Sequence, residues 1–192
     1  QGEVAGAVQL ELYEAATRRA EAGSTSIAAA LANWRSGFEE GDKLARFRMA
    51  LEGGDPARGK EIFFNDPVAS CQRCHYVPGD SSEEMPAEVG PALDGIGLAR
   101  NREQLLRSMV EPAAEIAPGF EFYDAEGKLL PISAMLPNLA DTLGPRPLRD
   151  LVAYLESKRD VTRVMIFVHS AGYEHQVAKA GDDGKSLVEK QW

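Results

Sequence analysis

Apolar residues recur at three- and four-residue steps in several stretches of the chain, and this spacing predicts a mainly α-helical protein. The first stretch covers residues 8–22, where Val8 and Leu12 lie on the apolar face that we expect to be buried. The second covers residues 26–38, and we expect its Trp34 to lie in the core. With a third apolar pattern after them, these helices resemble a helical hairpin or the end of a helical repeat.

A break at Gly53-Gly54-Asp55-Pro56 separates this region from a second group of helices. Asp55 or Gly54 is placed to cap a helix over residues 57–64, and proline is favoured in a first helical turn. Further helices are predicted over residues 102–110, where Asn101 is placed to cap the helix, and over residues 146–158.

Two stretches read as β-structure. Residues 120–132 contain two short apolar runs around Asp124-Ala125-Glu126-Gly127, which predicts a small hairpin. Residues 161–168 read as a buried parallel strand. Since a single strand cannot form a sheet, we expect this segment to pack on the core or to pair with another copy, giving a possible dimer.

The candidate chemistry lies in residues 71–75, which read Cys-Gln-Arg-Cys-His, the attachment signature of c-type haem. Positions i, i+3 and i+4 of a helical turn share a face. Cys71 and Cys74 can therefore bond the two vinyl groups of one porphyrin while His75 binds its iron. A covalently attached haem is a redox centre, so electron transfer is the leading hypothesis, with no catalytic residue.

Two other uses of a Cys-x-x-Cys motif remain as alternatives, a redox-active dithiol and half of a zinc site. The sequence around the motif has no βαβ pattern, and the chain has only two cysteines. Its other two histidines, His169 and His175, are roughly a hundred residues away. Haem attachment is therefore favoured.

The sixth iron ligand is a choice among several side chains that follow His75. Met135 is favoured because it lies in an irregular loop before the last helix, from which it can fold over the open haem face. A thioether ligand favours reduced iron and raises the potential. The other candidates are Met85, Met109, Met165, His169 and His175, of which Met109 and Met165 are expected in the core. An open or labile sixth site, as in a haem enzyme or gas sensor, and bis-histidine ligation by His169 or His175 remain alternatives.

The ring N–H of His75 also needs an acceptor, since such partners fix the tautomer of a ligating imidazole. The backbone carbonyl of Pro91 is the candidate.

Composition narrows the range of partners. The net charge of −9 argues against nucleic acid and against an anionic membrane surface. No apolar run approaches the roughly 20 residues that span a bilayer. Acidic residues greatly outnumber basic ones over residues 76–126, so a basic partner is expected, bound at rates that fall as salt rises.

Residues 51–158 resemble a class I cytochrome c domain. The resemblance is carried by Gly59 and Phe63, the motif at 71–75, Gly90-Pro91-Ala92-Leu93, Met135 and a leucine-rich last helix with Tyr154. More narrowly, LEGGDPARGKEIFF, CQRCH, VGPALDGIG and LRDLVAYL resemble the haem-binding domain of planctomycete and verrucomicrobial multidomain proteins, which commonly follows a sugar-dehydrogenase-like β-propeller.

This resemblance implies a class I cytochrome c fold with an N-terminal helical extension (1–52), a cytochrome domain (53–159) and a short strand-like tail (160–192), read as the start of an α/β domain. It implies one covalent haem c on Cys71 and Cys74, the ligands His75 and Met135, and the Pro91 carbonyl as the acceptor for His75. The chain is then an electron carrier whose partners are redox proteins, above all a dehydrogenase domain of the same parent. Since haem c is normally attached outside the cytoplasm, we expect a piece of a longer, exported protein, periplasmic or otherwise extracytoplasmic.

Overall fold

The computed structural model describes residues 6–38, 41–81, 89–160, 163–167 and 175–179. These residues form a mainly helical protein with two short β-hairpins, so the predicted fold class is confirmed. None of the described helices is both long and apolar enough to cross a membrane.

The helices lie close to their predicted positions, and two short ones, over residues 96–99 and 139–143, were not predicted. In chain order they are α1 (Gly6–Glu21), α2 (Thr25–Ser36), α3 (Pro56–Asn65), α4 (Ile96–Ala99), α5 (Arg102–Val110), α6 (Leu139–Leu143) and α7 (Pro145–Glu156), with 3-10 turns at Ala45–Ala50 and Cys71–Arg73. The strands are β1 (Phe122–Tyr123), β2 (Leu129–Leu130), β3 (Arg163–Phe167) and β4 (His175–Lys179).

Side-chain caps fix the starts of α3 and α5. The Asp55 carboxylate accepts hydrogen bonds from the first N–H groups of α3, and Pro56 occupies the first helical position. The Asn101 side chain accepts from the N–H of Gln104, whose own side chain accepts from the N–H of Asn101. This reciprocal pair is a capping box, so both predicted helix starts are confirmed.

The core forms where α3 crosses α7. Gly59 of α3 lies so close to α7 that a Cβ there would be 2.0 Å from the Asp150 carbonyl oxygen. The aromatic rings of Phe63 and Tyr154 pack beside this crossing, with their centroids 5.5 Å apart. Helices α5 and α6 complete the core, whose buried members include Val77, Leu105, Leu106, Met109, Leu148, Leu151, Val152 and Leu155.

A mostly buried carboxylate joins the loop after residue 75 to both crossing helices. Asp80 accepts hydrogen bonds from the Tyr154 hydroxyl (2.8 Å), from Lys60 of α3 (2.7 Å) and from Lys158 after α7. Burial alone would raise the pKa of Asp80, but the three donors outweigh burial and lower this pKa to about 2. The ionised carboxylate therefore holds three separate segments together.

The N-terminal hairpin of α1 and α2 contacts α7 through charged groups. Glu14 accepts from Arg146 at 2.7 Å, and Glu11 accepts from Arg149 at 2.8 Å, so the acidic side of α1 faces α7. Among the described apolar side chains of α1, Leu10 is fully buried.

Two predictions about this hairpin are wrong. Val8 and Leu12 are exposed, because the ion pairs with α7 turn the acidic side of α1 inward and these residues outward. Trp34 is 43% exposed and is not a core residue. It packs on the surface against Tyr13 and Phe38, with ring centroids 5.6 and 4.7 Å away.

Of the two predictions of β-structure, one is confirmed and the other is wrong. Strands β1 and β2 pair antiparallel, which confirms the small hairpin predicted over 120–132. The parallel strand predicted over 161–168 is wrong in its direction, because β3 pairs antiparallel with β4, which follows it along the chain. β3 therefore pairs with the next strand in the chain and not with a strand from a distant part of the sequence. A dimer through this tail stays a prediction.

We predict that Gly59→Ala destabilises the protein by about 3 kcal/mol or more, because the added methyl would force α3 away from the Asp150 carbonyl. Urea unfolding measures the change. Gly119→Ala is the control: Gly119 has φ of +87° with open space around it, so only the left-handed backbone is penalised, by about 1 kcal/mol. Equal losses for the two variants would contradict a close helix crossing.

A second prediction concerns acid stability. Since the pKa of Asp80 is lower in the folded protein than in the unfolded chain, its stabilisation is complete above about pH 5 and is lost as the pH falls towards 2. Asp80→Asn should lower the free energy of unfolding by about 2 kcal/mol at neutral pH and flatten its decline below pH 5. The control is Asp141→Asn, which removes an exposed ion pair with Arg46 and should keep the wild-type pH dependence. A wild-type profile in Asp80→Asn would refute the role of this carboxylate.

Candidate haem-attachment site

The Cys-x-x-Cys-His segment forms one helical turn. The N–H groups of Cys74 and His75 both donate to the Cys71 carbonyl, at 3.1 and 2.9 Å. The 3-10 turn Cys71–Arg73 is therefore followed by one α-helical hydrogen bond, from His75 to Cys71. Cys71, Cys74 and His75 thus occupy positions i, i+3 and i+4 of a helical turn, as expected from the sequence. Both thiols are free and partly buried.

A tight turn that the sequence reading missed delivers the chain to Cys71. The Asp66 carboxylate, at the end of α3, accepts from the N–H groups of Val68 (2.9 Å) and Ala69 (2.8 Å). Ser70 follows with φ of 40° and is the one described residue other than glycine with positive φ. An aspartate whose carboxylate accepts from the N–H groups two and three residues later is a typical turn signal. This signal could have been recognised from the sequence.

His75 is held by the segment that contains Pro91. Its Nδ1 lies 2.9 Å from the Pro91 carbonyl oxygen, so Nδ1 donates to the carbonyl and Nε2 carries no proton. A Cβ on Gly90 would lie 2.8 Å from the Cys74 carbonyl oxygen and 3.0 Å from the imidazole Cε1. Glycine at 90 thus lets this segment approach the ring closely enough to make the hydrogen bond.

Burial sets the protonation of the site. Burial lowers the pKa of His75, although the hydrogen bond to Pro91 opposes this effect. Neutral imidazole is the form that binds metal ions. Burial also raises the pKa of Cys71 to about 11, against a smaller opposite effect of a backbone hydrogen bond. Both groups are therefore uncharged at neutral pH.

The candidate sixth ligands lie in different surroundings. Met135 is partly buried and packs against the same hydrophobic cluster as Cys71. Met109 is a buried core residue, as predicted. His175 lies in β4 and Met165 in β3, whereas Met85 and His169 lie outside the described residues.

Several exposed apolar side chains lie next to candidate site residues in the sequence. Val68 precedes the motif, and Val89 precedes Gly90. Ile132 and Leu136 lie close to Met135 in the chain. Exposed apolar side chains of this kind are suited to contact the apolar face of a porphyrin.

These residues fit a c-type haem. Two free thiols and an imidazole lie on one helical turn, and the hydrogen bond at Nδ1 leaves Nε2 for the iron. Within the described part of the chain, no group of three or more His, Cys, Asp or Glu side chains is placed to hold a metal ion. The zinc alternative therefore gains no support from these residues.

Comparison with known proteins agrees with this chemistry. No curated protein matches the chain. The family model described as Cytochrome c matches residues 56–159, which is more than half of the 192 residues and includes the whole attachment motif. The chain therefore belongs to the cytochrome c family, whose members bind haem c covalently and transfer electrons.

Proposed function

We propose that residues 53–159 form a six-coordinate electron-transfer domain, with the helical segment 1–52 and the tail 160–192 as separate attachments. Cys71 and Cys74 would hold one haem c, and His75 and Met135 would bind its iron from opposite faces. The observation that carries this proposal is the hydrogen bond between His75 Nδ1 and the Pro91 carbonyl, because it reserves Nε2 for a metal.

Met135 is the proposed distal ligand because of its surroundings. Of the methionines whose side chains are described, Met49 and Met109 are buried in the core, whereas Met135 lies at the surface of the cluster that Cys71 also contacts. Its loop is ordered by the Ser133 hydroxyl, which accepts from the Met135 N–H at 3.1 Å.

The haem supplies a reversible one-electron change at iron, and the chain sets its conditions. The Pro91 carbonyl fixes the imidazole orientation and makes the ligand more basic. The Met135 thioether would favour the reduced state of the iron. With His75 and Met135 both bound to it, the iron would have no free position for small gaseous ligands or peroxide, so the domain would carry electrons without catalysing a reaction.

The electron donor we propose is a dehydrogenase, fused in the same parent chain or docked to it, as in the planctomycete-type proteins that the sequence resembles. Because haem c is normally attached outside the cytoplasm, the parent we propose is exported, to the periplasm or beyond. Sequencing the complete gene tests this directly: we expect a dehydrogenase-like domain encoded in frame before residue 1. A reading frame without one would refute the fused form.

We predict that Met135→Ala abolishes the native ligand spectrum of the haem-loaded protein, lowers its reduction potential and allows the reduced protein to bind carbon monoxide, because the thioether no longer fills the sixth site. Absorption spectra of the reduced protein with and without carbon monoxide measure the change.

Met109→Leu is the matched control, since Met109 is a buried core residue of similar volume and the change should leave the spectrum intact. If the wild-type protein binds carbon monoxide readily, the haem has an open site, as in an enzyme or a gas sensor. If Met135→Ala keeps the native spectrum, another side chain is the distal ligand, and histidine is the first alternative.

A further inference from the structure

The hairpin of β1 and β2 presents apolar side chains on both of its faces. In an antiparallel pair, residues directly opposite each other point to the same face. Phe122 lies opposite Leu130 and Tyr123 lies opposite Leu129. Tyr123 and Leu129 therefore form one face, called here the hairpin face, and Phe122 and Leu130 form the other.

The two faces differ in exposure. Tyr123 is 58% exposed and Leu129 is 54% exposed, whereas Phe122 is 41% exposed and Leu130 is partly buried. Strands of two residues have little stability of their own, so such a hairpin gains most when another surface covers it. The hairpin face is the side left open for a partner.

The hairpin also lies near the proposed distal ligand. Met135 is five positions after Leu130, a length of chain that spans at most about 18 Å. The inference rests on the proposed function at this point: if Met135 binds the iron, a protein on the hairpin face is close to the haem.

Charge around the hairpin narrows the choice of partner. Residues 121–128 contain three carboxylates, those of Glu121, Asp124 and Glu126, and one basic residue, Lys128. These three carboxylates form the acidic rim of the hairpin. The Asp124 carboxylate accepts from the N–H groups of Glu126 and Lys128 and so orders the turn. Among the described residues, the hairpin carboxylates have no ion pair with a basic side chain.

We propose that the hairpin face is the docking surface for a basic redox protein, one with an apolar patch ringed by lysine or arginine. Such a partner covers Tyr123 and Leu129 and meets the acidic rim with opposite charge. A second copy of this chain would bring the same acidic rim and be repelled, and an anionic membrane would be repelled in the same way.

The test uses the haem-loaded full chain in its reduced form, mixed in a stopped-flow instrument with a strongly basic mitochondrial cytochrome c as the electron acceptor. The double variant Tyr123→Ser/Leu129→Ser should react about tenfold more slowly with this acceptor, because the apolar centre of the contact is lost. Glu121→Gln/Glu126→Gln should weaken the fall of the wild-type rate with salt, because the rim then carries less charge.

Two controls distinguish a loss of protein docking from a loss of electron transfer. Val8→Ser/Leu12→Ser removes apolar side chains that are 46% and 54% exposed on α1, and its rate with the basic cytochrome should stay at the wild-type value. Cobalt(III) tris-phenanthroline, a small acceptor, should oxidise every variant within about twofold of the wild-type rate, since it needs no protein docking surface.

The outcomes are distinguishable. If the wild-type protein fails to reduce even the cobalt complex, the proposed electron-transfer function is wrong. If it reduces both acceptors and Tyr123→Ser/Leu129→Ser reacts with the basic cytochrome at the wild-type rate, the docking surface is elsewhere. Concentration-dependent dimerisation that this double variant abolishes would assign the hairpin face to a second copy and overturn the proposal.

Discussion

The close crossing of α3 and α7 is the contact on which the rest of the structure depends. It requires glycine at position 59, since any Cβ there would overlap the Asp150 carbonyl. The approach brings Phe63 against Tyr154 and places the Tyr154 hydroxyl within hydrogen-bond distance of Asp80. Packing and electrostatics are therefore coupled: the apolar crossing positions the donors that keep a mostly buried carboxylate ionised.

This crossing also positions the redox site. α3 ends at Asn65 and passes through the Asp66 turn into the attachment motif, so the direction of α3 sets where Cys71 lies. On the other side of His75, Asp80 ties the following loop to both crossing helices. The backbone is thus held in place both before and after His75, and the Pro91 carbonyl fixes the orientation of the imidazole ring. An imidazole held in this way would keep its position when the haem iron changes charge, which suits an electron carrier.

The sequence predicted the structure best where a side chain interacts with backbone groups a few residues away. Asp55 and Asn101 marked helix starts correctly because capping depends on a few neighbouring residues. The motif at 71–75 specified its own turn for the same reason. The face of α1 was misjudged because its surroundings depend on Arg146 and Arg149, more than a hundred residues away. Trp34 was misjudged because it packs at the surface against Tyr13 and Phe38. Apolar periodicity cannot reveal that a helix is held by carboxylates, nor whether a strand pairs with the next strand in the chain or with a distant one.

In the proposed domain, the haem iron would be bound by one imidazole, from His75, and one thioether, from Met135. X-ray absorption at the iron edge of the haem-loaded protein measures this most directly, because it counts sulfur and nitrogen donors without altering the chain. The account predicts one sulfur and five nitrogen donors around the iron, four of the nitrogens from the porphyrin and one from His75. Six nitrogen donors, or five donors without sulfur, would contradict it.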